Sequence, residues 1–374
     1  MVTGDGKEFQ MRLAAALSPG MTAQALCSFD EHGGDYAAFA ELSCPDLSKI
    51  VEADMGHCRQ EHRQEGAIRA TREMQFLSRS TVRAVLATDP DYPERLLQLY
   101  NAPAVIFTLG RGNLSAPHPL AVVGTRKPTP QGAKHCTDFV NALADSVDGL
   151  NIVSGLAYGI DSLSHSAALQ KKVTTTAVLA HGLDMVYPAA HRDLASAIVH
   201  SGGVLVSQYP SGEKPRRQRF LERNRIIAAL CDGTLVVESA QHGGSLSTAN
   251  TAFELDREVF AIPGRIDDEM SQGCNLLIHR NKAQIALSAD TLIDAMGWQR
   301  KQSAGSARQG SLFPELTSDQ QLVVDILKSQ QKDLTIDIIS TLARMSIPRV
   351  MVALSELEEL GIALRQPGNR FTNN

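Results

Sequence analysis

Three short stretches combine glycine with hydroxyl or charged side chains, a composition typical of loops that bind phosphate through backbone N–H groups. In the first, VVGTRK, Gly124 lets the backbone approach a ligand closely, and Thr125 can cap a helix or donate a hydrogen bond. Arg126 follows with a planar guanidinium group that suits a phosphate. By itself this stretch is equally typical of an ordinary turn after a strand.

The second stretch, SGLAYGID, contains Ser154 and Gly155 at the end of an apolar run and Gly159 where a helical pattern begins. Free N–H groups and the positive end of a helix dipole would face an anion there. The glycine spacing differs from GxGxxG, which argues against a dinucleotide cofactor. Asp161 and His165 are four residues apart and could form an acid–base pair or half of a metal site. Because no third ligand is evident, we favour a loop-orienting Asp161 and a structural His165.

The third stretch is GGSLSTA, which follows the apolar run GTLVVES. Gly243 and Gly244 lead into Ser245 and Thr248 at the start of a predicted helix, where N–H and hydroxyl groups can hold a phosphate. A plain glycine turn with a serine cap is the alternative. Three such loops at three strand ends favour the phosphate site.

The segment KPRRQRFLERNRIIAAL concentrates positive charge, with six Lys and Arg within twelve residues against only Glu213 and Glu222 nearby. Helical spacing places Arg216, Arg219 and Arg223 on one face. The excess of bases over acids favours phosphate binding over a solvated, charge-balanced surface. The residues of this segment that we predict to bind a phosphate or a base are Arg217, Phe220, Arg223, Asn224 and Arg225.

The elements that position these residues follow from the hydrophobic pattern. Between residues 84 and 298, apolar runs bounded by glycine alternate with helical patterns of 10 to 15 residues. This alternation predicts an α/β fold, an extended Rossmann-like, doubly wound and mostly parallel sheet. In such a sheet ligands bind beyond the carboxyl ends of the strands, where the three glycine stretches are expected to lie.

The remaining segments predict smaller parts around this domain. Residues 1–83 show short helical patterns that predict a small helical (SAM-like) domain. Residues 299–316 are rich in Ser, Gly and Gln and predict a flexible linker. Residues 317–374 predict three helices and a strand, turn and strand, the order of a winged helix. With six bases against seven acids there, we expect this winged helix to contact protein or to be structural.

Composition limits the possible functions. A net charge of -5 excludes a uniformly basic surface, so any nucleic-acid contact must come from a local patch. The six cysteines are scattered without a CxxC pair, which argues against disulfides and zinc and suits a reducing cytoplasm. No secretory signal and no run of 18 apolar residues is present, so we expect neither export nor a membrane span. Nothing indicates a cofactor or a metal.

The ordered motifs resemble those of the DprA/Smf family of bacterial DNA-processing proteins. They are GTR, SGLAYGID, AHGLDMVYPAAHRDL, FLERNRIIAAL, GGSLSTA, VFAIPG and GCNLLI, all within about residues 86 to 290. The resemblance implies a protein without enzymatic activity that binds single-stranded DNA cooperatively as a homodimer. It also implies that the protein loads RecA recombinase during natural transformation. The family's DNA-contacting basic positions correspond to Arg126 and Arg217, and Arg223 and Arg225 of the RNR motif match the family as well.

An enzyme is the alternative function. Gly243, Gly244, Thr248 and Glu254 loosely resemble the site of nucleotide phosphoribohydrolases, in which a glycine loop holds a monophosphate and a glutamate assists bond cleavage. An arginine cluster is not needed by such a mononucleotide pocket. We therefore favour DNA binding over catalysis.

Overall fold

The computed structural model describes residues 4–301, 316–329, 334–359, 362–366 and 370–373. The chain divides into two compact units, residues 1–301 and 302–374. Most of the predicted linker, residues 299–316, lies outside the described residues. Its flexibility therefore stays a prediction.

A nine-stranded sheet forms the centre of the first unit. Its strands are β1 (Arg83–Leu86), β2 (Val105–Gly110), β3 (His118–Val123), β4 (Leu150–Ser154), β5 (Thr174–Leu179), β6 (Val204–Ser207), β7 (Gly233–Val236), β8 (Glu258–Ala261) and β9 (Gln284–Ile285). Their order in the sheet is β1-β2-β6-β5-β4-β3-β7-β8-β9. From β6 to β9 along this order all pairs are parallel, whereas β2 pairs antiparallel with both β1 and β6. The predicted α/β fold class is confirmed.

The strand order reverses direction at β3. The chain runs from β3 through β4 and β5 to β6 on one side, and then continues with β7 and β8 on the other side of β3. The loops after β3 and β7 therefore diverge and leave a crevice at the carboxyl edge of the sheet. Ligands of open parallel sheets bind in such a crevice.

Helices connect the strands and cover the sheet. Those of the first unit are α1 (Gly4–Ala16), α2 (Ala23–Glu31), α3 (Cys44–Val51), α4 (Gln60–Leu77), α5 (Glu94–Leu97), α6 (Pro130–Ser146), α7 (Ile160–Gln170), α8 (Arg192–His200), α9 (Arg217–Ala229), α10 (Ser245–Glu254), α11 (Gln272–His279) and α12 (Ala289–Ala295). The residues at the beginning of α6 explain why the helix starts there. Pro130 occupies its first turn, and the Thr129 hydroxyl accepts the Gly132 N–H at 3.0 Å.

The N-terminal helices share a core with the sheet. Leu13 and Phe29 from the helices belong to the same cluster of buried side chains as Val85 and Phe107 from β1 and β2. The residues from 4 to 301 thus form one compact unit. A separate domain boundary at residue 83 stays a prediction.

A buried carboxylate joins α4 to the loop that precedes α9. Glu73 is only 2% exposed, and its Oε2 accepts hydrogen bonds from the Ser211 N–H at 2.9 Å and the Ser211 hydroxyl at 2.6 Å. Burial raises the pKa of Glu73, although these hydrogen bonds oppose the shift. The helix α4 therefore helps to fix the start of the basic segment.

A buried arginine joins α9 to the ends of two strands. Arg223 is 3% exposed, and its Nη1 donates to the carbonyl oxygens of Gly155, directly after β4, and of Val178 in β5, the latter at 2.7 Å. A Cβ on Gly155 would lie 1.9 Å from that Nη1. The guanidinium group therefore needs a glycine at this position.

The second unit has the topology of a winged helix, as predicted. It consists of α13 (Ser318–Ser329), β10 (Leu334–Thr335), α14 (Ile336–Ala343), α15 (Ile347–Glu359), β11 (Ala363–Gln366) and β12 (Arg370–Asn373). The short strand β10, which the sequence pattern did not reveal, pairs with β12. Exposed apolar side chains on α14 and α15, among them Ile338, Leu342 and Met351, suit a protein contact, which stays a prediction.

Within the described residues no single helix is long and apolar enough to cross a membrane. Only α14 and α15 taken together meet that criterion of length and composition, and a bend of 109° separates them.

We expect Gly155→Ala to lower the free energy of unfolding by about 1–3 kcal/mol, because the new methyl group displaces the Arg223 guanidinium from its two carbonyl acceptors. Urea denaturation measures this change. Gly244→Ala is the matched control, since a Cβ there would meet nothing within 4 Å. Equal stability of both variants would show that the Arg223 contacts contribute nothing.

The variant Glu73→Gln tests the raised pKa of the buried carboxylate through the pH dependence of stability. The folded state raises the pKa of Glu73 above its ordinary value of 4.5, so the stability linked to its protonation is present below 4.5 and is lost as pH rises through the raised pKa. As the pH falls from about 8 to 5, we expect the unfolding free energy of the native protein to increase relative to that of Glu73→Gln.

The exposed Glu61 on the same helix provides the control for this pH dependence. Glu61→Gln makes the same change from carboxylate to amide at an exposed position and is measured over the same pH range. A constant difference between the native protein and Glu73→Gln would contradict the raised pKa.

Candidate nucleic-acid interface

A cleft of about 670 Å³ lies at the point where the strand order reverses. The loops after β3 and β7 and the first turns of α9 and α10 form its sides. Twelve of the residues predicted from the sequence line it: Gly124, Thr125, Arg126, Asp161, Arg217, Phe220, Arg223, Asn224, Gly243, Gly244, Ser245 and Thr248. Stretches that are up to 124 positions apart in sequence therefore meet in one cavity, from Gly124 to Thr248.

The charge of the cleft is positive. Four arginines line it, and Asp161 is the one carboxylate among the lining residues. Arg126, Arg216 and Arg217 are exposed, and none of them takes part in the ion pairs found among the described residues. Their charges are thus available to an anion.

Two aromatic rings lie beside these charges. The Arg126 guanidinium carbon is 5.1 Å from the centre of the Phe220 ring, a cation–π distance. The Tyr187 ring lies 6.1 Å from the Phe220 ring, and 45% of Tyr187 is exposed. A stacking surface therefore adjoins a positively charged one.

Two helices begin at the cleft without side-chain caps. Arg216 precedes α9 and Gly244 precedes α10, and neither supplies a side-chain acceptor to the first turn. The N–H groups of Arg219, Leu246 and Ser247 donate to the backbone carbonyls of Arg216, Gly243 and Gly244. The start of each helix also carries the positive end of its dipole. By contrast α6, which begins at the same edge of the sheet, is capped by Thr129.

Side chains behind the cleft fix the shape of its loops. The Asn224 amide donates to the Ser247 hydroxyl at 2.9 Å and to the Gly244 carbonyl at 3.2 Å, so α9 holds the glycine loop. Glu238 accepts from the Thr129 N–H at 2.9 Å and from its hydroxyl at 2.5 Å. The Thr125 N–H donates to the Glu238 carbonyl at 2.8 Å. The loop after β3 is thereby held to the segment after β7.

The prediction that Arg216, Arg219 and Arg223 share one face is wrong. Arg216 lies before the helix and is exposed, and Arg223 lies at the bottom of the cleft with its Nη1 engaged by two carbonyls. Arg219 forms an ion pair with Glu213 and stacks 4.8 Å from the Tyr209 ring. The helix has apolar packing on several sides, so spacing alone did not separate buried from exposed guanidinium groups. A phosphate contact by Arg223 stays a prediction.

Asp161 and His165 have different environments. Burial raises the pKa of Asp161, opposed mainly by the nearby Arg223 charge, and its Oδ2 accepts the Ala157 N–H at 3.3 Å. Burial lowers the pKa of His165 to about 3, and its Nδ1 lies 2.7 Å from the Thr175 hydroxyl. His165 is therefore a neutral, buried, structural histidine, as expected.

Four predicted residues lie outside the lining. The Ser154 hydroxyl is buried and donates to the Val122 carbonyl at 2.7 Å. Gly155 makes room for Arg223, and Gly159 has a φ of +79° where a Cβ would lie 2.3 Å from the Thr125 carbonyl oxygen. Arg225 is half-buried on α9. Ser154, Gly155 and Gly159 support the loops, and a DNA contact by any of the four stays a prediction.

The structure also adds residues that the sequence prediction did not select. Tyr187, Arg216, Ser239 and His242 line the cleft. Arg216 belongs to the charged segment, and Tyr187 belongs to a family motif, so both had a sequence signal. Ser239, whose hydroxyl accepts from Ser245 at 2.9 Å, and His242 had none.

No metal site is evident in the part of the chain that the structure describes, since no three His, Cys, Asp or Glu side chains come together there in a suitable group. The chemistry available in the cleft is instead phosphate binding by guanidinium and N–H groups and stacking on aromatic rings.

Comparisons with known proteins identify relatives of this chain. The Protein Smf of Synechocystis is 35% identical over 317 residues, which cover 76% of this chain and 78% of that protein. The DprA structure from Streptococcus pneumoniae matches with a TM-score of 0.61 at 33% identity, over 79% of this chain and 98% of the other. A DNA processing protein A from Helicobacter pylori, described for its single-stranded DNA binding mode, matches with a TM-score of 0.52 at 27% identity, over 59% and 97%.

A family model supports the same assignment. Residues 83–297, more than half of the chain, match the model of DNA recombination-mediator protein A. The resemblance seen in the motifs is thereby confirmed. The chain belongs to the family of DNA recombination-mediator protein A, the DprA/Smf DNA-processing proteins.

Proposed function

We propose that this protein binds single-stranded DNA in the cleft at the carboxyl edge of its sheet. One observation carries the proposal: three exposed arginines without ion-pair partners among the described residues adjoin the aromatic rings of Phe220 and Tyr187. Charge for the backbone and ring faces for the bases are the two requirements of single-strand binding. A duplex buries its bases in the stack and cannot use such rings.

Each part of the cleft has a role in this proposal. Arg126, Arg216 and Arg217 bind phosphates, and the starts of α9 and α10 add the positive ends of two helix dipoles. Phe220 and Tyr187 stack with bases, and the contact of Arg126 with Phe220 orders its guanidinium group in advance. Arg223 adds a buried positive charge beneath the strand. The single-stranded DNA binding described for the Helicobacter pylori relative supports the proposal.

The geometry disfavours the enzyme alternative. That function needs Glu254 beside the glycine loop, but Glu254 is exposed at the last residue of α10 and does not line the cleft. It lies nine positions after Ser245 in the helix, or about 14 Å along the axis. We therefore propose that the protein binds DNA without catalysing a reaction on it.

The membership of the family supports a further proposal. The protein acts as a homodimer in the cytoplasm, where its six free thiols are stable, and it loads RecA onto single strands during natural transformation and recombination. The family carries this part of the proposal, because the described residues belong to one chain and include no partner.

Substituting the exposed arginines tests the DNA site. We expect Arg126→Ala and Arg217→Ala each to weaken binding of labelled single-stranded DNA and to reduce the slope of log affinity against log salt concentration by about 0.7, because each removes one phosphate contact. Titrations at several salt concentrations measure both quantities.

Two kinds of control separate charge from other effects. Tyr187→Ala should cost about 1–3 kcal/mol of binding free energy with little change in the salt slope, because stacking releases no counterions. Arg79→Ala removes an exposed arginine outside the cleft and should leave binding unchanged. Native affinity and slope in both Arg126→Ala and Arg217→Ala would refute the site.

A strand-exchange assay tests RecA loading. On single strands coated with single-strand binding protein, we expect the native protein to shorten the lag before RecA-dependent exchange. The double variant Arg126→Ala, Arg217→Ala should not, since it cannot stay on the strand. An unchanged lag with native protein would contradict the proposed loading.

A further inference from the structure

A second cleft of about 570 Å³ adjoins the first. It lies between the N-terminal helices and the basic segment. Its lining comes from residues 16–21 at the end of α1 and after it, Arg69 on α4, residues 103–105 at the start of β2, residues 208–210 after β6, and the start of α9. Arg216 lines both clefts. The two cavities therefore meet at one exposed arginine.

The second cleft has a polar lining with its acids already engaged. Glu213 forms an ion pair with Arg219, and Glu222 accepts the Tyr209 hydroxyl at 2.5 Å. Arg69 and Arg216 add positive charge, and Arg69 also forms an ion pair with Glu65, which does not line the cleft. The Tyr209 hydroxyl is uncharged, so Glu222 keeps its negative charge. The lining nevertheless has three arginines, Arg69, Arg216 and Arg219, against two carboxylates.

Amide and aromatic groups complete this lining. Gln208 and Gln218 supply side-chain amides that can donate to and accept from base edges. The Arg219 guanidinium carbon lies 4.8 Å from the centre of the Tyr209 ring, and both residues line the cleft. A guanidinium plane is a surface on which a base can stack.

From this continuity we infer that the second cleft holds the nucleotides that follow those in the first cleft, with Arg216 binding a phosphate between them. The inference rests on the proposed function. It adds the path of the strand, which crosses the surface from the sheet edge past Arg216 toward α4. The N-terminal helices then contribute directly to DNA binding, through Arg69.

The length of the bound strand distinguishes the two clefts. Single-strand binding modules occupy ~4 to 16 nucleotides, and oligothymidylates of about 6 and about 15 nucleotides lie near the two ends of this range. We expect Arg69→Glu to leave affinity for the shorter strand unchanged, because that strand fits in the first cleft. Affinity for the longer strand should fall on the order of fivefold, because a repelling charge replaces an attractive one.

A second variant and a matched control complete the experiment. Gln208→Glu changes the same cleft from the loop after β6, and should show the same dependence on length. Arg72→Glu makes the same charge change on α4, at an exposed position that lines neither cleft, and should leave both affinities unchanged. Unchanged binding of the shorter strand also shows that each variant is folded.

Two results would overturn the inference. If Arg69→Glu and Gln208→Glu bind the longer strand as tightly as the native protein does, the second cleft holds no DNA. An equal loss for both lengths would show that these residues act through the fold. Failure of the proposed function looks different, because the native protein would then bind neither oligonucleotide.

Discussion

The burial of one guanidinium group sets the geometry of the cleft. Arg223 projects from α9 beneath the cavity and donates to carbonyl oxygens that belong to the ends of β4 and β5. A buried charge is costly unless its environment compensates it, and here carbonyl dipoles and the nearby Asp161 do so. Because α9 is held in this way, Arg217 and Phe220 at its start face the loop that carries Arg126.

The same arrangement explains how an acidic chain forms a basic site. The net charge is -5, yet the cleft contains four arginines and one carboxylate. Of the acids near the charged segment, Glu213 forms an ion pair with Arg219, and Glu222, which accepts the Tyr209 hydroxyl, does not line this cleft. Screening at physiological salt limits the influence of distant surface acids to about 8 Å, so the local excess determines what the cleft attracts.

Much of the fold was predictable because local patterns determine the elements of a parallel sheet. Apolar runs bounded by glycine predicted the strands, and the positions of Pro130 and Thr129 mark the start of α6. The antiparallel addition of β1 and β2 and the short strand β10 were not predicted. The strand β2 pairs with β6, and β10 pairs with β12, so neither pairs here with the next strand in the chain. The periodicity of a strand carries no information about which other strand it pairs with.

The sequence by itself determined which residue types reach the site, since glycine loops and arginines recur at the carboxyl ends of strands, and it determined the family through ordered motifs. Only the tertiary structure decided which arginine does what. Arg216, Arg219 and Arg223 look alike in a helical pattern, but one is exposed, one is paired and one is buried. Burial and pairing depend on groups that approach from elsewhere in the chain, such as the carbonyls of Gly155 and Val178, and no local pattern records them.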